Sequence, residues 1–203
     1  MKTFLFASIA LALSFGAANP LLAVPEIGQP APDFSVIDTK GQTHSLSDFA
    51  GQLVILEWTN HDCPFVVKHY SAGNMQDQQR LARDEHNAIW LTVISSRAGE
   101  QGHVTPEQAD ELTASRDAFP TAVLLDESGD MGRAYDARVT PHMYIIDGDG
   151  ILSYMGGIDS NPSRHSEDIP DATQYVVKAL DDLAAGREVA HAVTRPYGCT
   201  IKY

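Results

Sequence analysis

The sequence contains little cysteine: only Cys63 and Cys199 occur among 203 residues. They lie 136 positions apart, so the chain has no local C-x-x-C motif of the kind that forms a neighbouring dithiol or part of a zinc site. In an oxidising compartment the two cysteines can pair across the fold. From the residues alone, three states stay open: a redox-active pair, a permanent structural disulfide and two unpaired thiols.

Positive charge is also scarce, with 14 Lys and Arg residues against 27 Asp and Glu residues and a formal net charge of −13. Nucleic acid and anionic membrane surfaces are bound by clustered Lys and Arg, and this chain lacks such clusters. We therefore expect neither as a partner.

Long apolar runs are confined to the first residues. Lys2 precedes an apolar stretch over residues 4–15, and small residues follow it. This pattern predicts a signal peptide over residues 1–23, with cleavage after Ala18 or Ala23. The stretch is shorter than the ~20 residues of a membrane-spanning helix, although an uncleaved anchor is the alternative. We expect an exported protein, in the bacterial periplasm, that is not attached to the membrane after cleavage.

Residues 24–186 have the pattern of one α/β domain, and residues 187–203 form a tail that carries Cys199. Continuous apolar runs such as "QLVILEW" and "AIWLTVISS" predict strands that are buried on both faces. Helical patterns alternate with them, which predicts right-handed crossovers and a central, mostly parallel sheet. A C-terminal antiparallel hairpin turning at residues 147–150 and flanking helices complete the element order of a thioredoxin-like fold.

Four stretches resemble the exported thioredoxin-like redoxins, a group that overlaps the alkyl hydroperoxide reductase and thiol-specific antioxidant family. They are "IGQPAPDFSVIDTKGQTHSLSDFAGQLVILEW", "VTPHMYIIDGDGILSYMGG", "TNHDCPFVVKHY", which is similar to a subgroup motif C-N-H-C-P-Y-V, and the C-terminal "PYGCTIKY". The chain departs from this pattern in three places. Thr59 or Asn60 stands near the place of the motif's first cysteine, and the peroxiredoxin signature P-x-x-x-T-x-x-C is absent. Pro141 stands where peroxiredoxins usually carry an arginine ahead of the "YIID" strand, as in thioredoxins. The resemblance implies a thiol oxidoreductase without a cofactor, which reduces a peroxide or a protein disulfide and is itself reduced by an external dithiol.

Cys63 is the candidate nucleophile. It stands between a predicted strand and a predicted helix whose first residue is Pro64, where a missing N–H is tolerated. At this junction we expect the sulfur to face solvent and to meet the positive end of the helix, which favours the reactive thiolate. His61 and His69 flank it, and a protonated histidine would favour the thiolate further. The alternative is a buried, inert cysteine.

Cys199 has two interpretations: it resolves an oxidised Cys63, or it is half of a disulfide that staples the tail to the domain. The resemblance implies a cis peptide bond between Thr140 and Pro141, which would hold an edge of backbone beside Cys63 for an extended peptide or substrate. The remaining candidates are Asn60 and His61 as substrate contacts and Glu57 as a buried proton acceptor or the partner of a basic neighbour.

Three functions follow from these residues. The first is the thiol oxidoreductase. The second is a copper-binding module, in which Cys63, His61 and His142 would form a soft cuprous site, with Thr59 where thioredoxin-fold copper-delivery proteins have their first cysteine. The third is a non-catalytic domain with a structural disulfide. We favour the oxidoreductase, for which no metal is expected.

Overall fold

The structure is a computed structural model that describes residues 24–203. The predicted signal peptide, residues 1–23, lies outside the described residues. In chain order the elements are β1 (Ser35–Ile37), β2 (Thr43–Ser45), β3 (Val54–Trp58), α1 (Pro64–Ser71), α2 (Asn74–His86), β4 (Ile89–Ile94), α3 (Pro106–Ser115), β5 (Ala122–Leu125), α4 (Asp130–Ala134), β6 (Val139–Thr140), β7 (His142–Ile146), β8 (Leu152–Gly156), α5 (Tyr175–Ala184) and β9 (Cys199–Thr200).

The central sheet has five strands in the order β5-β4-β3-β7-β8. Strands β3, β4 and β5 pair in parallel, as their crossover helices require, whereas β7 pairs antiparallel with both β3 and β8. The expected α/β architecture is therefore confirmed, with parallel pairing confined to one half of a mixed sheet. The predicted hairpin between β7 and β8 is present, and β1 and β2 form a second hairpin that turns at Lys40 and Gly41.

Local sequence signals explain several boundaries. Cys63 is the N-cap of α1, and Pro64 is the first residue of the helix. Proline is tolerated there because the N–H that it lacks would have no partner within the helix. Thr105 caps α3 by accepting the Gln108 N–H. Helix α5 begins only at Tyr175, later than its apolar pattern indicates.

Two large apolar cores pack against the sheet, one on each face, because successive strand residues point to opposite faces. One contains Trp58, Tyr135 and Tyr144, and the other contains Cys63 and Met143. A third, smaller cluster joins Ile94, Val123 and Leu125 to Ala109 of α3. Within residues 24–203, no helix has the length and apolar character needed to cross a membrane. The sulfur of Cys63 is thus part of the core that lies between the sheet and the helices α1, α2 and α5.

Candidate active site

The side chain of Cys63 is fully buried, with 0% of its surface exposed. Its sulfur does not cap α1. Instead, the Cys63 thiol donates a hydrogen bond to the carbonyl oxygen of Thr140 at 3.0 Å. The expectation of a solvent-facing sulfur aimed at the helix N-terminus is therefore wrong, because the backbone at Thr140 and the C-terminal tail cover this junction.

The tail brings Cys199 to the same place. The backbone N–H of Cys199 donates to the Cys63 sulfur at 3.4 Å, and the side chain of Cys199 is only partly buried. Both cysteines are free thiols in this structure. Burial raises the pKa of the Cys199 thiol to about 12, assisted by its hydrogen bond to Cys63 and by negative charge on the Cys63 sulfur. The Cys199 thiol therefore keeps its proton near pH 7.

A cis peptide bond joins Thr140 and Pro141, as the sequence resemblance implies. The short strand β6 that leads into it pairs antiparallel with β9 of the tail, with Thr140 opposite Cys199. The backbone edge that we expected to receive an extended peptide is thus filled by residues of the same chain. The sequence analysis did not anticipate this pairing.

Gly198 makes the close approach of the tail possible. Its φ is +146°, and a Cβ at this position would lie 1.8 Å from the carbonyl oxygen of Thr140. Any residue with a side chain would therefore collide with the backbone of Thr140. The glycine before Cys199 is needed for the tail to lie against Thr140 and Pro141.

Tyr197 anchors the tail in a buried polar cluster. Its hydroxyl donates to a carboxylate oxygen of Asp159 and lies 3.1 Å from Nε2 of His69. The other oxygen of that carboxylate is 3.4 Å from the ammonium group of Lys68, which is itself buried. The ring of Tyr197 packs edge-on against Phe65 of α1. Tyr197 therefore fixes the tail two residues before Cys199.

Further anchors lie along the tail on both sides of Cys199. The Thr194 hydroxyl contacts the Tyr154 hydroxyl at 2.6 Å and accepts the N–H of Gly157 at 3.0 Å. Ile201 is buried in the core, and the hydroxyl of Tyr203 donates to the carbonyl of Ala137 at 2.6 Å. Four separate contacts thus hold the tail without any bond between the two sulfurs.

His69 lies deep in the fold and does not supply positive charge to Cys63. Besides Tyr197, it contacts the amide of Asn74 through Nδ1 at 2.8 Å. Burial lowers its pKa to about 4, although the nearby Asp159 acts in the opposite direction. The ring is therefore neutral near pH 7, and the expected role for a protonated His69 is wrong. His61 lies in the loop before Cys63, partly exposed, with Nε2 3.3 Å from Asp62.

Glu57 is fully buried in β3 and is surrounded by donors. Its carboxylate accepts hydrogen bonds from Tyr70 at 2.8 Å, from the indole N–H of Trp90 at 2.9 Å and from Thr92 at 3.2 Å. Burial nevertheless raises the pKa of Glu57 above its usual range. No hydrogen bond joins Glu57 to Cys63 among residues 24–203, so its position supports the core between β3 and β4. The positive Arg116, whose guanidinium lies 4.7 Å from the Tyr70 ring, is its basic neighbour.

Asn60 shapes the loop before Cys63. Its side-chain oxygen accepts the N–H of Asp62 at 2.9 Å, and its carbonyl accepts the N–H of Cys63 at 3.0 Å. The Asn60 side chain is buried, so it holds the backbone turn that presents Cys63.

The three ligands of the copper alternative do not come together. His142 is buried, and its Nδ1 lies 3.2 Å from the Tyr144 hydroxyl. In the part of the chain that the structure describes, no three His, Cys, Asp or Glu side chains are grouped as a cation site. Thr59, which stands where a second thiolate ligand is expected, has a buried hydroxyl with no hydrogen-bond partner among these residues.

Comparisons with known proteins identify the family and the fold. A model of the AhpC/TSA family matches residues 27–155. The thiol-disulfide oxidoreductase ResA of Geobacillus kaustophilus (strain HTA426) is 24% identical over 131 residues, which cover 61% of this chain and 65%, just under two thirds, of that protein.

Two solved structures share the fold. An uncharacterized conserved protein from Geobacillus kaustophilus superposes with a TM-score of 0.74 at 27% identity, covering 88% of this chain and 92% of that one. The thioredoxin domain of a thiol-disulfide oxidoreductase from Bacteroides vulgatus superposes with a TM-score of 0.51 at 19% identity, covering 72% of this chain and 96% of that domain. The family match covers more than half of the chain and includes both Cys63 and the cis bond at Pro141, whereas Cys199 lies beyond it. The fold and this match together show that the chain belongs to the AhpC/TSA family of thioredoxin-like redoxins.

Proposed function

We propose that this protein is a thiol-dependent oxidoreductase that alternates between a Cys63 and Cys199 dithiol and a Cys63–Cys199 disulfide. The observation that carries the proposal is the contact between the Cys199 N–H and the Cys63 sulfur, 3.4 Å apart in space although 136 positions separate the residues. The cis bond between Thr140 and Pro141 lies beside the same sulfur, because the Cys63 thiol donates to the Thr140 carbonyl.

With a hydroperoxide as oxidant, the thiolate of Cys63 attacks the terminal oxygen and the O–O bond breaks. Water or an alcohol leaves, and Cys63 becomes a sulfenic acid. The Cys199 thiol then attacks this sulfur, a second water leaves and the disulfide forms. An external dithiol returns both cysteines to thiols and becomes a disulfide itself.

The occupied edge at Thr140 favours a small oxidant. A protein disulfide would need to lay an extended segment along β6, and β9 already pairs there. A hydroperoxide needs no such edge. We therefore place hydrogen peroxide or an organic hydroperoxide ahead of a protein disulfide as the substrate of Cys63.

A purely structural disulfide is the competing function for the same pair. Against it, the contacts of Thr194, Tyr197, Ile201 and Tyr203 hold the tail without help from the sulfurs. The tail therefore keeps its place while both cysteines are thiols, as a pair that cycles between thiol and disulfide requires.

Export to the bacterial periplasm is part of the proposal and rests on the signal-peptide pattern of residues 1–23. In that compartment oxidants reach the protein and an external dithiol is needed to close the cycle. No nucleic acid or membrane surface takes part, in keeping with the net charge of −13.

The test uses the purified, fully reduced chain and one equivalent of hydrogen peroxide, followed by acid quenching and peptide mapping. The wild type should lose two thiols and give a Cys63–Cys199 peptide pair. Cys199→Ser should stop at a sulfenic acid on Cys63 that reacts with dimedone, and Cys63→Ser should not consume peroxide. If peroxide, and glutathione disulfide in a parallel sample, leave both thiols unchanged in the wild type, the proposed function is wrong.

A further inference from the structure

We infer that this protein binds a small carboxylate with a short apolar body, in a cavity beside α3 where Arg116 and the hydroxyl of Thr59 contact the carboxylate. The cavity lies between α3, the strands β4 and β5, and the loop that precedes Cys63. It encloses about 390 Å³ of space between protein atoms, its mouth included, which is in the range of small-molecule sites. Cys63 does not line the cavity, so the inference stands beside the proposed redox cycle and does not rest on it.

The first observation is a buried hydroxyl without a partner. Thr59 follows β3 directly and lines the cavity, with 7% of its surface exposed. Its hydroxyl makes no hydrogen bond to any group among residues 24–203. A buried polar group that is left unpaired destabilises the folded protein, and an acceptor atom of a ligand would remove that cost. Thr59 therefore offers a donor that the protein itself does not use.

The second observation is a cation without a counter-ion. Arg116 follows α3 and is partly buried, and within the described range of the chain it forms no ion pair with a carboxylate. Its guanidinium donates to the carbonyl oxygen of His61 at 3.2 Å and lies 4.7 Å from the centre of the Tyr70 ring. Most of its five N–H donors are thus left for a ligand. The hydrogen bond to His61 places the guanidinium beside the loop that carries Thr59, so one carboxylate can accept from both residues.

The carboxylate of Glu57 does not take this place. Arg116 acts on Glu57 through space, but Glu57 accepts its hydrogen bond from Tyr70 and is not part of the cavity lining. Residues 24–203 hold all 27 Asp and Glu residues of the chain, yet none of them lines the cavity. In a protein with a net charge of −13, this is a local environment that an anion can enter.

The remaining lining determines the rest of the ligand. Ile94, Leu112 and Val123 form an apolar wall, and they belong to the small cluster between α3 and the sheet. The planar fork of a guanidinium matches the two oxygens of a carboxylate, and this pairing strengthens where water is excluded. An inorganic anion would leave the apolar wall uncovered, whereas a short branched or aromatic body would cover it. The lining therefore fits a monocarboxylate of this kind.

The experiment titrates the reduced, ¹⁵N-labelled protein with 3-methylbutanoate and follows the backbone amide signals by NMR. Two probes isolate the features of the ligand: 3-methylbutanamide has the same shape without the charge, and acetate has the charge without the apolar body. With 3-methylbutanoate we expect saturable shifts at millimolar concentrations, largest at the amides of the lining residues Thr59, Arg116 and Ala118. The amide and acetate should bind at least about tenfold more weakly.

Two substitutions test the assigned contacts. Arg116→Gln removes the guanidinium, and Thr59→Val replaces the hydroxyl by a methyl group of similar size. Each should weaken binding of 3-methylbutanoate by about tenfold or more. Arg83→Gln is the matched control, because it removes the same charge from an exposed residue of α2 that does not line the cavity, and its affinity should equal that of the wild type. Urea denaturation of each variant verifies that it is folded, and Thr59→Val decides the question if Arg116→Gln is not.

Three results would overturn the inference. The first is the absence of any saturable shift with 3-methylbutanoate, which would leave a cavity that holds solvent. The second is equal affinity for 3-methylbutanamide, which would show that the cavity does not recognise a carboxylate. The third is unchanged affinity in a folded Thr59→Val and Arg116→Gln, which would place the bound molecule elsewhere. None of these results bears on the disulfide between Cys63 and Cys199, which peroxide and peptide mapping test separately.

Discussion

Replacing Gly198 by alanine perturbs the contact on which the site depends. An alanine Cβ would lie 1.8 Å from the Thr140 carbonyl oxygen, and real Cβ atoms do not come within about 3 Å of such an atom. The tail must therefore retreat by about 1 Å, or leave β6 entirely. Misplacement by about 1 Å can cost a reaction about 100-fold in rate. We expect Gly198→Ala to slow closure of the Cys63–Cys199 disulfide by about 10-fold to 100-fold.

The same substitution should lower the free energy of unfolding. Holding a non-glycine residue at the φ of +146° costs about 1–3 kcal/mol. Each hydrogen bond lost between β6 and β9 adds about 1 kcal/mol. We expect a total loss of about 3 kcal/mol. Gly186→Ala is the matched control, because Gly186 also has a positive φ of +66° but no atom within 4 Å of an added Cβ. It should lose only about 1–2 kcal/mol.

Closure is followed after one equivalent of hydrogen peroxide by timed alkylation and mass spectrometry, and stability by urea denaturation of the reduced proteins. Gly198→Ala should be slow in closure, whereas Gly186→Ala should close at the wild-type rate. If Gly198→Ala closes as fast as the wild type and unfolds at the same urea concentration, the contact between the tail and Thr140 does not position Cys199.

Three further substitutions test the buried groups around the site. Tyr197→Phe removes the hydroxyl that joins Asp159 and His69, and should cost about 1–3 kcal/mol in urea denaturation; an unchanged midpoint would show that this hydroxyl does not anchor the tail. The pKa of His69 is lowered to about 4 in the folded protein, so the native state excludes a proton that the unfolded chain binds, and stability should fall as pH drops from about 6.5 to about 4. In His69→Gln this loss should be smaller, and an equal loss would contradict the assignment. The pKa of Glu57 is raised, so the stabilisation that this group contributes is present below its ordinary pKa and is lost as pH rises through the folded pKa. Glu57→Gln should therefore gain free energy of unfolding relative to the wild type as pH rises. A difference that stays constant with pH would contradict this.

Most of the fold follows from short-range signals in the sequence. The apolar runs at β3 and β4, the proline at the start of α1 and the Thr105 cap of α3 each act within a few residues, so they can be interpreted without a structure. Strands β6 and β9 are two residues each and carry no such signal, because their pairing joins residues 59 and 61 positions apart in the chain.

The candidate site could also be predicted in part from the sequence. Cys63, Cys199 and the cis bond at Pro141 were identified from the motif and the family resemblance, and the structure places all three together. The burial of Cys63 was missed because it is caused by the tail. Tyr197 was missed as well, since its partner Asp159 is 38 positions away and nothing in either residue's neighbourhood indicates the contact.

Several long-range features shape the environment of Cys63 without touching its sulfur. His69 looked like a source of positive charge from its place in the helix after Cys63, but burial and the nearby Lys68 keep it neutral even beside Asp159. Gly198 carries no local signal of its role, which is to admit the Thr140 carbonyl close to the tail. In both cases the chemistry of the residue depends on elements that are distant in sequence.

The reduction potential of the Cys63–Cys199 couple tests the central claim most directly. The folded protein is equilibrated in a series of glutathione and dithiothreitol buffers, thiols are trapped and counted by mass spectrometry, and tryptophan fluorescence reports whether the chain remains folded. A redox-active pair should be reduced at a potential well above about −300 mV with the fold intact. A bond that opens only below about −300 mV, or only when the chain unfolds, would identify a structural disulfide and contradict the proposed cycle.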